Sequence, residues 1–179
     1  MIGSLMYLTN TRSGIFIVMN TLSQFFADPR NVHLIAAKHV LRGTVDYGLK
    51  YDVNQKIILE GYVDSDWASS AIDSKSTSRC CFSMGSGVIS WFSRRKSCVA
   101  LSTAEAKYVT AYSASCEVVW IQKLLSDIFD LQLDATCIHC DNQNCVKLSE
   151  NPVFHYKLKH IEIKNHYIRD MVQRGAVKL

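Results

Sequence analysis

Acidic side chains stand at the ends of apolar segments that the sequence predicts as strands, and at the start of a predicted helix. Asp64 and Asp66 close one such strand, Glu105 lies one turn into a helix that opens at Ser102, and Asp141 ends a second strand. Acids at the ends of core strands are costly unless their charge is compensated there, so their joint placement favours a site. Carboxylate oxygens are the ligands that Mg²⁺ or Mn²⁺ prefers. The pattern predicts a site where two ions about 4 Å apart hold one phosphate.

Each acid also has a purely structural interpretation, and the sequence leaves these alternatives open. Ser102 and Glu105 have the spacing of a capping box, in which the glutamate reaches back to the N-cap. Asp141 suits the N-cap of the helix that follows it. Asp64 and Asp66 suit a turn after a strand.

Hydrophobic spacing predicts the elements that must position these acids. Residues 1–45 have helical spacing, with a break at Asp28-Pro29. Apolar and polar residues then alternate over residues 47–51 and again over residues 57–63, as in strands. A hairpin follows, with strands at residues 79–84 and 88–92 around a Gly-Ser-Gly turn.

The second half of the chain alternates helices with short strands. A long helix begins at Ser102, a strand covers residues 136–140, and a short helix covers residues 143–149. A last helix over residues 159–174 is closed by Gly175, and residues 176–179 begin an extended segment. The order indicates an α/β or α+β mixed sheet whose first three strands are joined by hairpins.

Composition limits the class of protein. The 179 residues are 48% hydrophobic with two prolines, which suits one medium domain with a core and argues against disorder. The net charge of +4 permits a nucleic-acid partner without demonstrating one. There is no signal-peptide pattern and no apolar run long enough for a membrane span, so we expect a protein that is neither secreted nor inserted in a membrane. The seven cysteines then predict reduced, mostly buried thiols.

Short motifs in order along the chain resemble the ribonuclease H region of copia-type LTR retrotransposons. They read Gly-Tyr-Val-Asp-Ser-Asp-Trp-Ala at 61–68, Asp-Ser-Lys-Ser-Thr-Ser at 73–78, Gly-Val-Ile-Ser-Trp at 87–91, Val-Ala-Leu-Ser-Thr-Ala-Glu-Ala-Lys-Tyr at 99–108, Cys-Asp-Asn-Gln at 140–143 and Lys-His-Ile-Glu-Ile at 159–163. Residues 2–8 and 39–42 resemble the tail of the preceding reverse transcriptase. The resemblance implies a reverse transcriptase remnant over residues 1–45 and a ribonuclease H-like domain over residues 46–179.

The resemblance also implies an activity and its residues. Asp64, Glu105 and Asp141 match the family's metal ligands, and Asp66 matches a supporting acid. The implied reaction is two-metal hydrolysis of the RNA strand of an RNA–DNA hybrid with Mg²⁺ or Mn²⁺, leaving 3′-hydroxyl and 5′-phosphate ends. The basic run after the third strand and two residues after Asp141 are expected to contact nucleic acid, although an ordinary solvated turn is the alternative for the basic run: Arg94, Arg95, Lys96, Asn142 and Gln143.

One departure from the family pattern favours a second interpretation. The resemblance implies a fourth aspartate beyond a last strand, and the printed sequence ends at Leu179, before both. We therefore expect a domain without its last strand and helix. The alternative function is a catalytically inactive retroelement fragment that only folds or binds nucleic acid. In either case the expected partners are an RNA–DNA hybrid and the remainder of the reverse transcriptase polyprotein, with no membrane. The expected location is the cytoplasm, in a virus-like particle, or the nucleus.

Two weaker hypotheses concern other chemistry. Cys137 and Cys140, followed by His155 and His160, have zinc-finger-like spacing. An offset of three on a strand puts the two cysteines on opposite faces, which argues against a shared ion. Another nuclease of the same fold class, such as an integrase or a Holliday-junction nuclease, would instead prefer duplex DNA.

Overall fold

The computed structural model is an α/β fold with one mixed five-stranded sheet. It describes residues 2–43, 48–52, 54–66, 75–96, 99–100, 102–150 and 162–179. The elements in chain order are α1 (Ile2–Leu8), α2 (Ser13–Ser23), α3 (Asn31–Gly43), β1 (Leu59–Asp66), β2 (Thr77–Met84), β3 (Gly87–Arg95), α4 (Thr103–Phe129), β4 (Thr136–Cys140), α5 (Gln143–Glu150), α6 (Glu162–Gln173) and β5 (Val177–Lys178). The mixed α/β sheet expected from the sequence is confirmed.

The sheet has the strand order β3-β2-β1-β4-β5. β1, β2 and β3 pair antiparallel as consecutive hairpin strands, whereas β4 runs parallel to β1 and β5 parallel to β4. A parallel neighbour requires a crossover, and α4 supplies it between β3 and β4. The carboxyl ends of β1 and β4 therefore meet at one edge of the sheet.

The main core lies between the sheet and α4. Phe82 and Ile138 on the sheet are fully buried, as are Ala114 and Val118 on α4. Hydrogen bonds between Ser78 and Thr110 (2.8 Å) and between Ser90 and Glu117 (3.0 Å) join the helix to the same face. Alternation along the strands fixes this face, because every second residue of β1 from Leu59 to Ser65 is buried.

The helices α1 to α3 form a second, smaller core of their own. It consists of Leu5, Ile15, Met19, Leu22 and Ala37. This helical unit meets the sheet on the face opposite to α4, where the Asn20 amide donates to the Ser93 carbonyl at 3.3 Å. The break predicted at Asp28-Pro29 is present, since α2 ends at Ser23 and α3 begins at Asn31.

The long helix begins, and the last helix ends, as the sequence indicates. Ser102 is the N-cap of α4 and its side chain accepts a hydrogen bond from the Glu105 N–H at 3.1 Å. Gly175, at φ +70°, follows α6 in the left-handed conformation expected after a helix. None of the helices in the described part of the chain combines the length and apolar character that a membrane crossing needs.

The strand predicted over residues 47–51 is wrong for the part that the structure describes, because residues 48–52 are irregular. Side-chain contacts with the β2–β3 turn replace a ladder there. The Tyr51 hydroxyl donates to the Val88 carbonyl and the Asp52 N–H donates to the Ser86 hydroxyl, both at 2.7 Å. An added Cβ at Gly87 would collide with the Tyr51 ring, so the glycine admits this aromatic side chain.

Some sequence predictions fall outside the described residues. These are Tyr47, Trp67 and Ala68 of the motif at 61–68, Asp73 and Ser74 of the motif at 73–78, Cys98, Leu101, His155, and the Lys159-His160-Ile161 start of the last helix.

Candidate functional site

Two of the predicted acids come together at the parallel edge of the sheet. Val63 of β1 pairs with Cys140 of β4, so Asp64 and Asp141 are the next residues on adjacent strands. Both carboxylates are open to solvent, with side chains 54% and 67% exposed. The convergence follows from the parallel register alone, because parallel strands deliver their carboxyl ends to one edge.

The ammonium of Lys107 contacts both of these carboxylates. Its Nζ forms a short ion pair with Asp141 Oδ1 and lies 3.7 Å from Asp64 Oδ1. The Lys107 side chain is only 11% exposed. A buried ammonium is costly without compensating charge, so the two carboxylates account for its position. Burial would lower the pKa of Lys107, but the hydrogen bond and charge of Asp141, together with the charge of Asp64, raise it above its ordinary value. Lys107 is therefore a cation at neutral pH.

Arg79 on β2 contacts both acids of β1, Asp64 and Asp66. It faces Asp64 across the β1–β2 ladder. Its Nη1 lies 3.4 Å from Asp64 Oδ2, and its Nη2 lies 2.5 Å from Asp66 Oδ2. Both oxygens of Asp64 thus have a basic partner, Lys107 on one and Arg79 on the other.

Glu105 occupies a different environment from the other acids. It lies in the first turn of α4 and is 5% exposed. Helix α4 packs on the face of β1 that carries Val63 and Ser65, whereas Asp64 alternates to the other face. The Glu105 N–H donates to the Ser102 hydroxyl, which is one of the two hydrogen bonds of the predicted capping box.

The donor chemistry of this edge suits a divalent cation, because Asp64, Asp66 and Asp141 offer only hard carboxylate oxygens. Their three negative charges face two basic groups, Lys107 and Arg79, which leaves one negative charge in excess. Within the described ranges, no group of three or more His, Cys, Asp or Glu side chains is arranged to hold a metal ion. The three-ligand set of Asp64, Glu105 and Asp141 stays a prediction.

The basic run at the end of β3 divides into two environments. Arg94 and Arg95 are exposed, and the Arg94 guanidinium lies 4.8 Å from the centre of the Phe92 ring. Lys96 is half-buried, and its ammonium donates to the carbonyl of Ala106 in α4. The structure therefore gives Lys96 a role in attaching the start of α4 to β3, and leaves the two arginines facing solvent.

The residues after Asp141 begin helix α5. Asn142 caps this helix, since its Oδ1 accepts a hydrogen bond from the Cys145 N–H at 3.0 Å. The capping role that the sequence offered to Asp141 thus belongs to its neighbour. Gln143 is exposed in the first turn of α5.

Two open grooves meet near the paired acids. One, of about 440 Å³, lies between α2 and the sheet, with Asp64, Arg79 and Trp91 in its wall. The other, of about 560 Å³, runs along β4 to Asp141 and Leu179. Tyr62 borders both grooves and stacks on His139 with ring centres 4.8 Å apart. The acids therefore lie beside surface that a ligand could reach.

The described cysteines are free thiols. Cys80 and Cys145 are buried, and Cys81, Cys116, Cys137 and Cys140 are half-buried. Burial raises the pKa of Cys80, whereas a hydrogen bond from Cys145 lowers that of Cys140 to about 7. Cys137 pairs with Glu60 and Cys140 with Val63, so these two cysteines do point to opposite faces of β4.

Sequence reasoning missed Lys107 and Arg79, the two cations of the site. Arg79 could have been found from the hairpin register, which places it opposite Asp64. Lys107 gave no such signal. A lysine two residues after Glu105 reads as an ordinary helix residue until the packing of α4 against β1 and β4 is known.

Comparison with known proteins gives a consistent set of relatives. The chain is similar to the retrovirus-related Pol polyproteins from transposons RE1 and RE2 of Arabidopsis thaliana, with 38% and 37% identity, each over 99% of this chain. It is also similar to the retrovirus-related Pol polyprotein from transposon TNT 1-94 of Nicotiana tabacum, with 35% identity over 99% of this chain. The chain spans only 12–14% of the length of these relatives. No family model matches the sequence.

Proposed function

The chain belongs to the retrovirus-related Pol polyproteins of copia-type transposons, and we propose that its residues 46–179 act as a ribonuclease H-type domain. The proposed activity is hydrolysis of the RNA strand of an RNA–DNA hybrid. The mixed sheet, with acids at the ends of two parallel strands, supports a ribonuclease H-like fold for this part.

One observation carries the proposal. Asp64, near the carboxyl end of β1, and Asp141, directly after β4, both contact one cation, the ammonium of Lys107. A phosphodiester is a poor electrophile at neutral pH, because its own negative charge repels a nucleophile. Carboxylates that concentrate positive charge at an open sheet edge address this problem.

The proposed cofactor is a pair of Mg²⁺ or Mn²⁺ ions. Asp64, Glu105 and Asp141 would hold them, with Asp66 in support. When bound, the ions would supply activation of the attacking water and stabilisation of the departing 3′-oxygen. Arg79 contacts Asp64 and Asp66 and so restricts the orientation of both carboxylates.

Residues around the edge would bind the hybrid. Arg94 and Arg95 are exposed at the end of β3, where they would contact phosphates, and binding through them would weaken as salt rises. Asn142 and Gln143 lie beside Asp141 at the start of α5, from where their side-chain amides would donate hydrogen bonds to the hybrid. Selection of RNA over DNA would come from contacts to the 2′-hydroxyl groups.

A cleavage assay on a labelled RNA–DNA hybrid in Mg²⁺ or Mn²⁺ tests the proposal. We expect Asp64→Asn and Asp141→Asn to abolish cleavage, and Glu105→Gln to lower it strongly. Asp127→Asn is the matched control, because Asp127 is exposed on the far part of α4. Equal cleavage by the parent chain and the Asp64 and Asp141 variants would refute the site, and preference for duplex DNA would indicate a different nuclease.

The second candidate function is binding of the hybrid without cleavage. The pairing of both Asp64 oxygens with basic side chains favours it, since these oxygens are then engaged before any ion arrives. Retention of hybrid in a filter-binding assay, with no product in either metal, would identify this function.

The remainder of the polyprotein is the proposed protein partner. The relatives are about seven to eight times longer than this chain, by the 12–14% that it covers. Residues 1–45 would then belong to the end of the reverse transcriptase. The proposed ribonuclease H activity would take place where the element replicates, in a cytoplasmic virus-like particle or in the nucleus.

A further inference from the structure

The side chain of Lys107 occupies the position between the two acids of the candidate site. We propose that Lys107 is a resident cation of this site, and that a divalent ion must displace it in order to bind between Asp64 and Asp141. The inference rests on the proposed function, because it concerns the same carboxylates.

The contacts of Lys107 carry the first step. Its Nζ pairs with Asp141 Oδ1 and lies 3.7 Å from Asp64 Oδ1. These are the acids that stand on adjacent parallel strands, so the ammonium bridges the ends of β1 and β4. A divalent ion shared by the same two oxygens would need the space that the ammonium fills. Two cations in contact would also repel each other strongly in a partly buried setting.

The backbone around Lys107 carries the second step. Its neighbours Ala106 and Tyr108 are fully buried, and the ammonium of Lys96 holds the Ala106 carbonyl. This turn of α4 is therefore fixed, and Lys107 can leave the acids only by rotation of its own side chain. The residue is only 9% exposed, and rotation of its side chain would break the contacts of the ammonium with Asp141 and Asp64. Displacement therefore adds to the cost of binding an ion.

The charge balance carries the third step. Arg79 already engages the other oxygen of Asp64 and also Asp66. If Lys107 stays in place, an arriving ion meets an edge with only one negative charge in excess. If a neutral residue replaces Lys107, the excess rises to two negative charges. Loss of this one positive charge should therefore have a large effect on the affinity for divalent ions.

The test compares Mn²⁺ binding by isothermal titration calorimetry in the whole chain and its variants. Lys107→Met keeps most of the length of the side chain and removes the charge, Lys107→Gln removes the charge but keeps a hydrogen-bond donor, and Lys107→Arg keeps the charge. Lys123→Met is the matched control, an exposed lysine on the same helix. We expect both neutral variants to bind Mn²⁺ about tenfold more tightly or better, because a unit charge in contact with two carboxylates is removed. Lys107→Arg and Lys123→Met should bind it as the parent chain does.

A second readout needs no catalysis and no tight binding. In EDTA the neutral variants should melt at a lower temperature than the parent chain, because Asp64 and Asp141 then repel each other. Addition of Mn²⁺ should raise their melting temperature more than it raises that of the parent. This separates displacement from a general loss of packing, which Mn²⁺ would not reverse.

The outcomes separate this inference from the nuclease proposal. Equal Mn²⁺ affinity in the parent chain and both neutral variants, or no binding in any of them, would overturn the role of Lys107. Tighter binding in the neutral variants with no hybrid cleavage by any chain would support the role of Lys107 and count against the nuclease. Cleavage by the parent chain, with the same Mn²⁺ affinity in the parent chain and the neutral variants, would support the nuclease and overturn the role of Lys107.

Discussion

The helical unit α1–α3 and the sheet unit, which is the sheet with α4, differ in which side chains they bury. The sheet unit buries large side chains between two layers, with Phe82, Tyr108 and Ile138 fully enclosed. The helical unit has a core of five residues and leaves Tyr7, Phe26 and Ile35 more than 60% exposed. The described residues of these three short helices bury only small and medium side chains among themselves. The sheet unit therefore encloses larger side chains than the helical unit does.

The difference also locates the candidate site. The paired acids lie on the sheet, whose register is fixed by ladders on both sides of β1. The helical unit adds one wall to the groove beside Asp64. A site that depends on positions within fractions of an ångström is suited to a strand that is hydrogen-bonded on both sides.

The largest effect should come from the core of the sheet. Phe82→Ala removes a fully buried ring and should lower the free energy of unfolding by about 3–5 kcal/mol. Urea unfolding followed by circular dichroism measures the change. Phe129→Ala is the control at an exposed position and should change stability by less than about 0.5 kcal/mol. Similar losses in both variants would mean that Phe82 is not in a packed core.

The next effect should stay within the helical unit. Met19 is fully buried there, and Met19→Ala should cost about 2–5 kcal/mol of local stability. We expect hydrogen exchange to accelerate in α1, α2 and α3 while the amides of α4 and the sheet keep their protection. Equal acceleration in α4 would show that the two units unfold as one, and would remove the basis of the comparison.

A smaller effect should follow from the cap of α4. Ser102→Ala removes the acceptor for the Glu105 N–H and should cost about 1 kcal/mol, whereas Ser102→Thr should retain most of that stability. Thermal unfolding of the two variants checks the difference. In the helical unit α2 begins without such a side-chain bond at its N-cap, so its stability depends more heavily on packing. A full loss in Ser102→Thr would place the effect elsewhere than in the cap.

The smallest effect should concern the contact between the units. Asn20→Ala removes the hydrogen bond to the Ser93 carbonyl and should cost no more than about 1 kcal/mol. Faster hydrogen exchange in α2, with α4 unchanged, is the expected readout. Asn10→Ala, at an exposed position after α1, is the control and should change nothing. A large global loss in Asn20→Ala would mean that the units depend on each other more than their separate cores suggest.

Local patterns in the sequence were sufficient for most elements. The strand at Thr136–Cys140 was predicted at the bounds that it has, and the hairpin of β2 and β3 is longer at each outer end than its prediction. The helical spacing of Tyr108, Ala111 and Val118 in the sequence also agrees with the side of α4 that the structure buries. The wrong strand prediction at residues 48–51 has a tertiary cause. Tyr51 alternates as in a strand, but its ring packs on Gly87 and its hydroxyl bonds to Val88.

The sequence by itself indicated that Asp64 and Asp141 lie near strand ends, because both follow apolar segments with the spacing of strands. The strand β1 itself extends to Asp66, three residues beyond its predicted end. Only the tertiary structure decided which charges meet there. Parallel pairing of β1 with β4 set the two acids side by side, and the packing of α4 placed the Lys107 ammonium between them. The physical reason is range. Strand and helix periodicity depend on near neighbours, whereas an ion pair between residues 107 and 141 depends on how whole elements pack.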